Sequence, residues 1–160
     1  MSHTPILIVA HAPLAHAFLQ GAVHVFADCE AYVQALDIAA DADTEQAQQQ
    51  AVARALQLLP KAPAPVAGAE VEASAPSLLI FTDVFGASPS NIAQRAAGVL
   101  QAQGVQVRAV AGLNLPMLLR AITYRHEPLA KMVELATAGG LRGVMEMPIA
   151  APQAFPSATL

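Results

Sequence analysis

Short apolar runs rich in β-branched residues alternate four times with stretches whose apolar residues recur every three to four positions. Few folds accept that order. Residues 6–10, Ile-Leu-Ile-Val-Ala, read as a strand buried on both faces and end at His11. Leu14, Phe18, Leu19, Ala22, Val23 and Phe26 then mark one face of a helix. Residues 31–38 read as a second strand, and the acids Asp41 and Asp43 supply capping chemistry for a helix over 45–59. Residues 78–81 form a third strand, ahead of a turn in which Ser88 reads as an N-cap and Pro89 as the first helical position. A fourth strand spans 105–111. Helices over 117–124 and 128–138 follow, the last closed by Gly139-Gly140. This order predicts a single three-layer α/β domain, with a mainly parallel four-stranded sheet and helices on both faces.

Composition narrows the function classes. At 160 residues, the chain suits one domain able to bury a core without disulfides, and a lone Cys29 excludes an intramolecular disulfide or a multi-cysteine metal site. Eight basic residues against twelve acidic ones leave no footprint for nucleic acid. No run of about 18 residues is free of polar groups, so no membrane span is expected. The apolar start lacks the basic region of a signal peptide, because the first basic residue is Arg54. A cytoplasmic protein is expected. Residues 1–147 would form the domain, with a flexible Pro/Ala-rich connection at 61–77 and a loose tail at 148–160.

In parallel sheets, ligands bind where strands end at their carboxyl edge, at the point where strand order reverses. The loops at that edge hold His11, Asp83 with Ser88, and Asn114. A histidine directly after a buried strand can be a nucleophile, a general base, a metal ligand or a packed loop residue. A carboxylate such as Asp83 on one ring nitrogen would fix the tautomer and leave the other lone pair free to attack. The turn Gly86-Ala87-Ser88 opens a helix whose unpaired N–H groups and dipole favour an anion; plain capping is the alternative. Together these features suggest phosphoryl transfer to histidine. No phosphate-binding lysine loop or kinase signature is present, so the phosphate would come from another protein and not from ATP.

These stretches resemble the mannose-type IIA components of the bacterial phosphoenolpyruvate-dependent sugar phosphotransferase system. The resemblance is carried by Ile-Leu-Ile-Val-Ala-His at 6–11, Phe-Thr-Asp-Val-Phe-Gly-Ala-Ser-Pro-Ser-Asn at 81–91, and Val-Ala-Gly-Leu-Asn-Leu-Pro-Met-Leu-Leu at 110–119. It implies that His11 is phosphorylated, that Asp83 orients its ring, and that Gly86, Ala87 and Ser88 lie near the phosphate. The same resemblance implies HPr as phosphate donor, a IIB component as acceptor and no cofactor. A homodimer follows as well, in which residues 143–147 could add a strand to the partner. This sequence departs from the family pattern at Ala12 and Ala87, where glycines are usual, and at Ser90, where phenylalanine is usual and whose change is expected to weaken a partner contact. A Cβ at residue 87 requires a negative φ there.

No IIB pattern follows the domain, so a separate IIB partner and a regulatory phosphoprotein role both stay open. Two other readings compete: the phosphotransferase subunit of a dihydroxyacetone kinase, and a non-catalytic dimeric binding module. Elsewhere, His16 and His24 lack the spacing or facing carboxylate of a metal pair and read as packing residues, like His3 and His126. Cys29 reads as an inert small residue, and Met117 to Leu119 as helix core. Arg120 and Arg125 are either solvated or border the His11 edge.

Overall fold

The computed structural model of the chain describes residues 3–60 and 75–149. Within them, β1 (Ile6–His11), β2 (Val33–Ile38), β3 (Ser77–Thr82) and β4 (Gln106–Ala111) form one sheet in the order β2-β1-β3-β4. Every neighbouring pair is parallel. The helices are α1 (Leu14–Val23), α2 (Thr44–Leu58), α3 (Ser88–Ala102), α4 (Leu115–Thr123) and α5 (Leu129–Arg142). The expected α/β architecture is therefore present, with an entirely parallel sheet.

Strand alternation divides the core. Ile6, Ile8, Ala10, Leu79 and Phe81 face a layer built with α1, α4 and α5. Leu7, Val9, Leu36, Leu78 and Ile80 face α2 and α3. Because β1 is central and covered on both sides, residues 6–10 are wholly buried, which is why their sequence shows no polar alternation. Small residues bring the outer layer close: Ala47, Ala51 and Ala55, spaced four apart on α2, are all buried on the sheet. Asp43 caps that helix by accepting the Gln46 N–H at 2.7 Å.

Several sequence expectations are corrected at element ends. Strand β2 starts at Val33, because Cys29–Ala31 closes a 3-10 turn in which the Tyr32 N–H reaches the Cys29 carbonyl. Ser88 is the first helical residue and not the cap; Ala87 occupies that position, with no side-chain cap. Helix α4 begins at Leu115, since Asn114 accepts the Met117 N–H at 2.9 Å and Pro116 is tolerated in a first turn. Gly139-Gly140 does not end α5. Both glycines are buried within it, and a Cβ on Gly140 would stand 2.6 Å from Met117 Cε, so they serve close packing against α4.

The 61–77 connection is shorter at its far end, since Ser77 belongs to β3. Its remaining part, 61–74, and the tail from 150 lie outside the described residues. The strand expected at 143–147 is not formed within the single chain. Gly143 caps α5, and residues 144–149 continue without regular structure, with Val144, Met145, Met147 and Ile149 exposed. Among the described residues, no helix is long and apolar enough to cross a membrane.

Candidate functional site

The strand order reverses between β1 and β3: β2 lies on one side of β1, and the chain then crosses to start β3 on the other. At such a switch, successive loops diverge and leave a crevice at the carboxyl edge. His11, the last residue of β1, and Asp83, the first residue after β3, stand on its two sides. They are in contact. His11 Nδ1 lies 2.7 Å from Asp83 Oδ2, and the His11 backbone N–H reaches the same oxygen at 3.4 Å.

The electrostatics fix the roles in this pair. Burial alone would raise the Asp83 carboxyl pKa. The His11 ring and backbone N–H bonds, the imidazole charge and the Val84 N–H outweigh that effect and hold it below the usual carboxylate range. An ionised carboxylate only accepts, so Nδ1 carries the proton and donates it. The lone pair then sits on Nε2. The imidazole side chain is 44% exposed while its carboxylate is only 12% exposed, so the orienting group is sheltered and the ring open.

The adjoining turn is built for tight geometry. Gly86 has φ +84°, a conformation that favours glycine, whereas Ala87 has φ −92°, which accommodates its Cβ. Ser90 has a duty that the sequence did not reveal. Its buried hydroxyl accepts the Gly86 N–H at 2.9 Å and donates to the Ala87 carbonyl at 3.2 Å, bracing the turn from inside. A side chain so enclosed offers no surface to a partner. Ser88 is exposed at the start of α3, whose first-turn N–H groups lack intrahelical acceptors. Among the described residues, no hydrogen bond joins Gly86, Ala87 or Ser88 to His11; they form the neighbouring turn.

The other candidates fall elsewhere. Asn114 caps α4 and donates to the Gly140 carbonyl at 3.1 Å, a structural duty. Arg125 lies at the opposite, amino edge: its carbonyl accepts from the Thr4 N–H, and its guanidinium lies 4.3 Å from the Tyr32 ring centroid. Arg120 packs over the ring of Tyr124. Neither arginine joins the site. Cys29 is buried, with its thiol pKa raised by burial and by Glu30 and Asp28, which removes thiolate reactivity. Met117 and Leu118 are core. His16 is a correction, because a carboxylate does face it: Nδ1 lies 2.6 Å from Asp37 Oδ2. Among the described residues, no cluster of three metal-ligating side chains exists.

Sequence reasoning also missed an apolar rim. Leu14, Val84, Phe85 and Leu115 are exposed, and each lies just beyond the carboxyl end of a strand. The available signal was large apolar residues in the loops after three strands.

Residues 66–136 match the EIIA-man family, described as the PTS system fructose IIA component. The match includes Asp83 and the turn after it, while His11 lies outside and reaches the site through the fold. No curated protein matches the chain. Among solved structures, the mannose/sorbose-specific IIA subunit of the phosphotransferase system from Enterococcus faecalis is 20% identical, with a TM-score of 0.72, over 95% of this chain and all of that one. Phosphotransferase system component EIIA from Streptococcus agalactiae is 20% identical, with a TM-score of 0.69, over 89% of this chain and 96% of that one. The PTS IIA protein associated with the fucose utilization operon of Streptococcus pneumoniae is 18% identical, with a TM-score of 0.63, over 91% and 96%. Residues 66–136 of the chain thus match the EIIA-man family model, and its fold is similar to that of solved IIA components of the phosphotransferase system, the mannose/sorbose-specific subunit among them.

Proposed function

We propose that this chain is a cytoplasmic phosphoryl carrier of the phosphotransferase system, which takes phosphate from phospho-HPr on His11 and passes it to a IIB component. The observation carrying this reading is the 2.7 Å contact between His11 Nδ1 and a carboxylate held ionised at the strand-order switch. With Nδ1–H donated to Asp83, the Nε2 lone pair attacks the donor's phosphorus in line. The donor nitrogen leaves with the electron pair of the broken N–P bond. Asp83 keeps the ring oriented and offsets the positive charge that develops on it. The first turn of α3, with Ser88, starts five residues after Asp83, and on this reading its N–H groups are the donors for the transferred oxygens. The N–P bond is itself reactive, so positioning of partners, more than difficult covalent chemistry, governs the rate.

The exposed Leu14, Val84, Phe85 and Leu115 around this crevice support docking of a protein donor instead of a nucleotide. Homodimerisation belongs to the same reading. Strand β4 ends the sheet, and residues 143–147, with Val144, Met145 and Met147 exposed, are the segment read as pairing with the open edge of a second copy. The test of the carrier function is label transfer from phosphoenolpyruvate through enzyme I and HPr. The wild-type chain is expected to take acid-labile label, and His11→Ala to lose nearly all of its initial rate. An undiminished rate in that variant overturns the assignment.

A further inference from the structure

The carboxyl rim holds a second histidine–carboxylate pair, one strand away from the first. Asp37 lies on β2 in register with Ala10, the residue before His11, and its side chain turns toward α1. Its Oδ1 accepts the backbone N–H groups of Ala15 and His16 at 2.8 and 3.3 Å, and its Oδ2 lies 2.6 Å from His16 Nδ1. The two pairs share one plan: a carboxylate after or within a strand, less exposed than its imidazole at 12% for Asp83 and 22% for Asp37, holds Nδ1 of a largely open ring. His16 is the more open ring, at 54% side-chain exposure against 44% for His11. A role limited to helix capping would need only Asp37; it gives no reason for an imidazole locked in this orientation.

We propose that His16 is a second phosphoryl-accepting histidine, served by the same phosphohistidine donor as His11; this rests on the carrier reading above. The His16 Nε2 lone pair forms the new N–P bond while the donor's N–P bond breaks. The donor nitrogen departs with that electron pair, and the Nδ1 proton stays with the Asp37 contact. Next to His16, a groove of about 240 Å³ runs along α1 past Gln20 and His24, at four-residue spacing. It gives the phosphoryl oxygens room and polar neighbours. Glu30 also lines the groove, and the α1 N–H groups of residues 15 and 16 are already taken by Asp37. His16 therefore lacks the anion-binding helix start that adjoins His11. The absence of one such set of donors sets its rate about a hundredfold below that of His11.

The experiment uses wild type, His11→Ala and His11→Ala/His16→Gln with phosphoenolpyruvate, enzyme I and HPr. Bound phosphate is located by mass spectrometry at neutral pH. The expected result is phosphate on His11 in wild type, slow phosphate on His16 in His11→Ala, and none on helix α1 in the double variant. Wild type labelled on His11, with His11→Ala unlabelled at His16 after a hundredfold longer incubation, overturns the inference and leaves the carrier reading intact. Equal slow labelling of His16 and of the exposed, carboxylate-free His24 or His126 also overturns it, because the Asp37 contact would then contribute nothing. Wild type unlabelled on every histidine overturns the carrier reading and this inference together.

Discussion

At the residue scale, the account turns on the proton between His11 and Asp83. Asp83→Asn keeps the shape but replaces a charged acceptor with a neutral one whose amide can face the ring. The phosphorylation rate is expected to fall by about a hundredfold or more, measured as initial label transfer from phospho-HPr. The same substitution has a stability signature. The folded Asp83 carboxyl lies below its unfolded value, so its contribution is fully present above about pH 4 and is lost as pH falls through the folded value. Wild type should thus exceed Asp83→Asn in stability at neutral pH, by about 1–3 kcal/mol for a charged hydrogen bond. Urea denaturation should find the gap closing on acidification below about pH 4. Both residues of this pair were legible in the sequence because His11 directly follows one apolar strand run and Asp83 follows another with only Thr82 between. His16 with Asp37 was not. That contact spans 21 positions and depends on the β1–β2 register, which periodicity leaves unspecified. The bracing role of Ser90 was hidden for a similar reason: which hydroxyl braces a turn depends on whether the helix starts at residue 88 or 89.

At the element scale, apolar periodicity located all four strands and five helices, and errors gathered at their ends. The Gly139-Gly140 pair shows why. Glycine after an apolar helical pattern reads as a stop, yet tertiary packing overrides propensity where two helices must approach closely. The α4–α5 contact makes this testable. A Cβ on Gly143 would meet Pro116 Cγ at 2.5 Å and Cβ at 2.6 Å, and a proline ring in a first helical turn has little freedom to yield. Gly143 is in the right-handed helical region, so its own backbone adds no strain to the substitution. Gly143→Ala should cost about 1–3 kcal/mol from overpacking. A thermal melt lowered by several degrees is the expected readout; an unchanged Tm would show that the two helices separate at no cost.

For the whole molecule, the shortage of charge has a structural explanation. A sheet covered on both faces consumes the Ile, Leu and Val runs, and alanine-rich helices pack against it at short range. What remains outside is unevenly placed. Apart from Val25 and Leu56, the exposed large apolar residues among those described sit at the carboxyl rim and along 141–149. On the dimer reading, sedimentation equilibrium should give twice the chain mass, and Val144→Lys with Met145→Lys should shift it to monomer. Wild type remaining monomeric at micromolar concentration would remove that part of the proposal. The layered α/β class and the parallel sheet were legible from alternation, whereas the strand order and the apolar rim emerged only with the structure, in which the loops after β1, β3 and β4 converge on one edge.

The orientation of one imidazole is the common thread from residue to molecule, and NMR reads it directly. Wild-type chain is phosphorylated through phosphoenolpyruvate, enzyme I and HPr, and the phosphorus is correlated with the nitrogens of ¹⁵N-labelled histidine. With Nδ1 committed to Asp83, the phosphoryl group is expected on Nε2 of His11. Phosphorus bonded to His11 Nδ1, or absent from His11, would contradict the account.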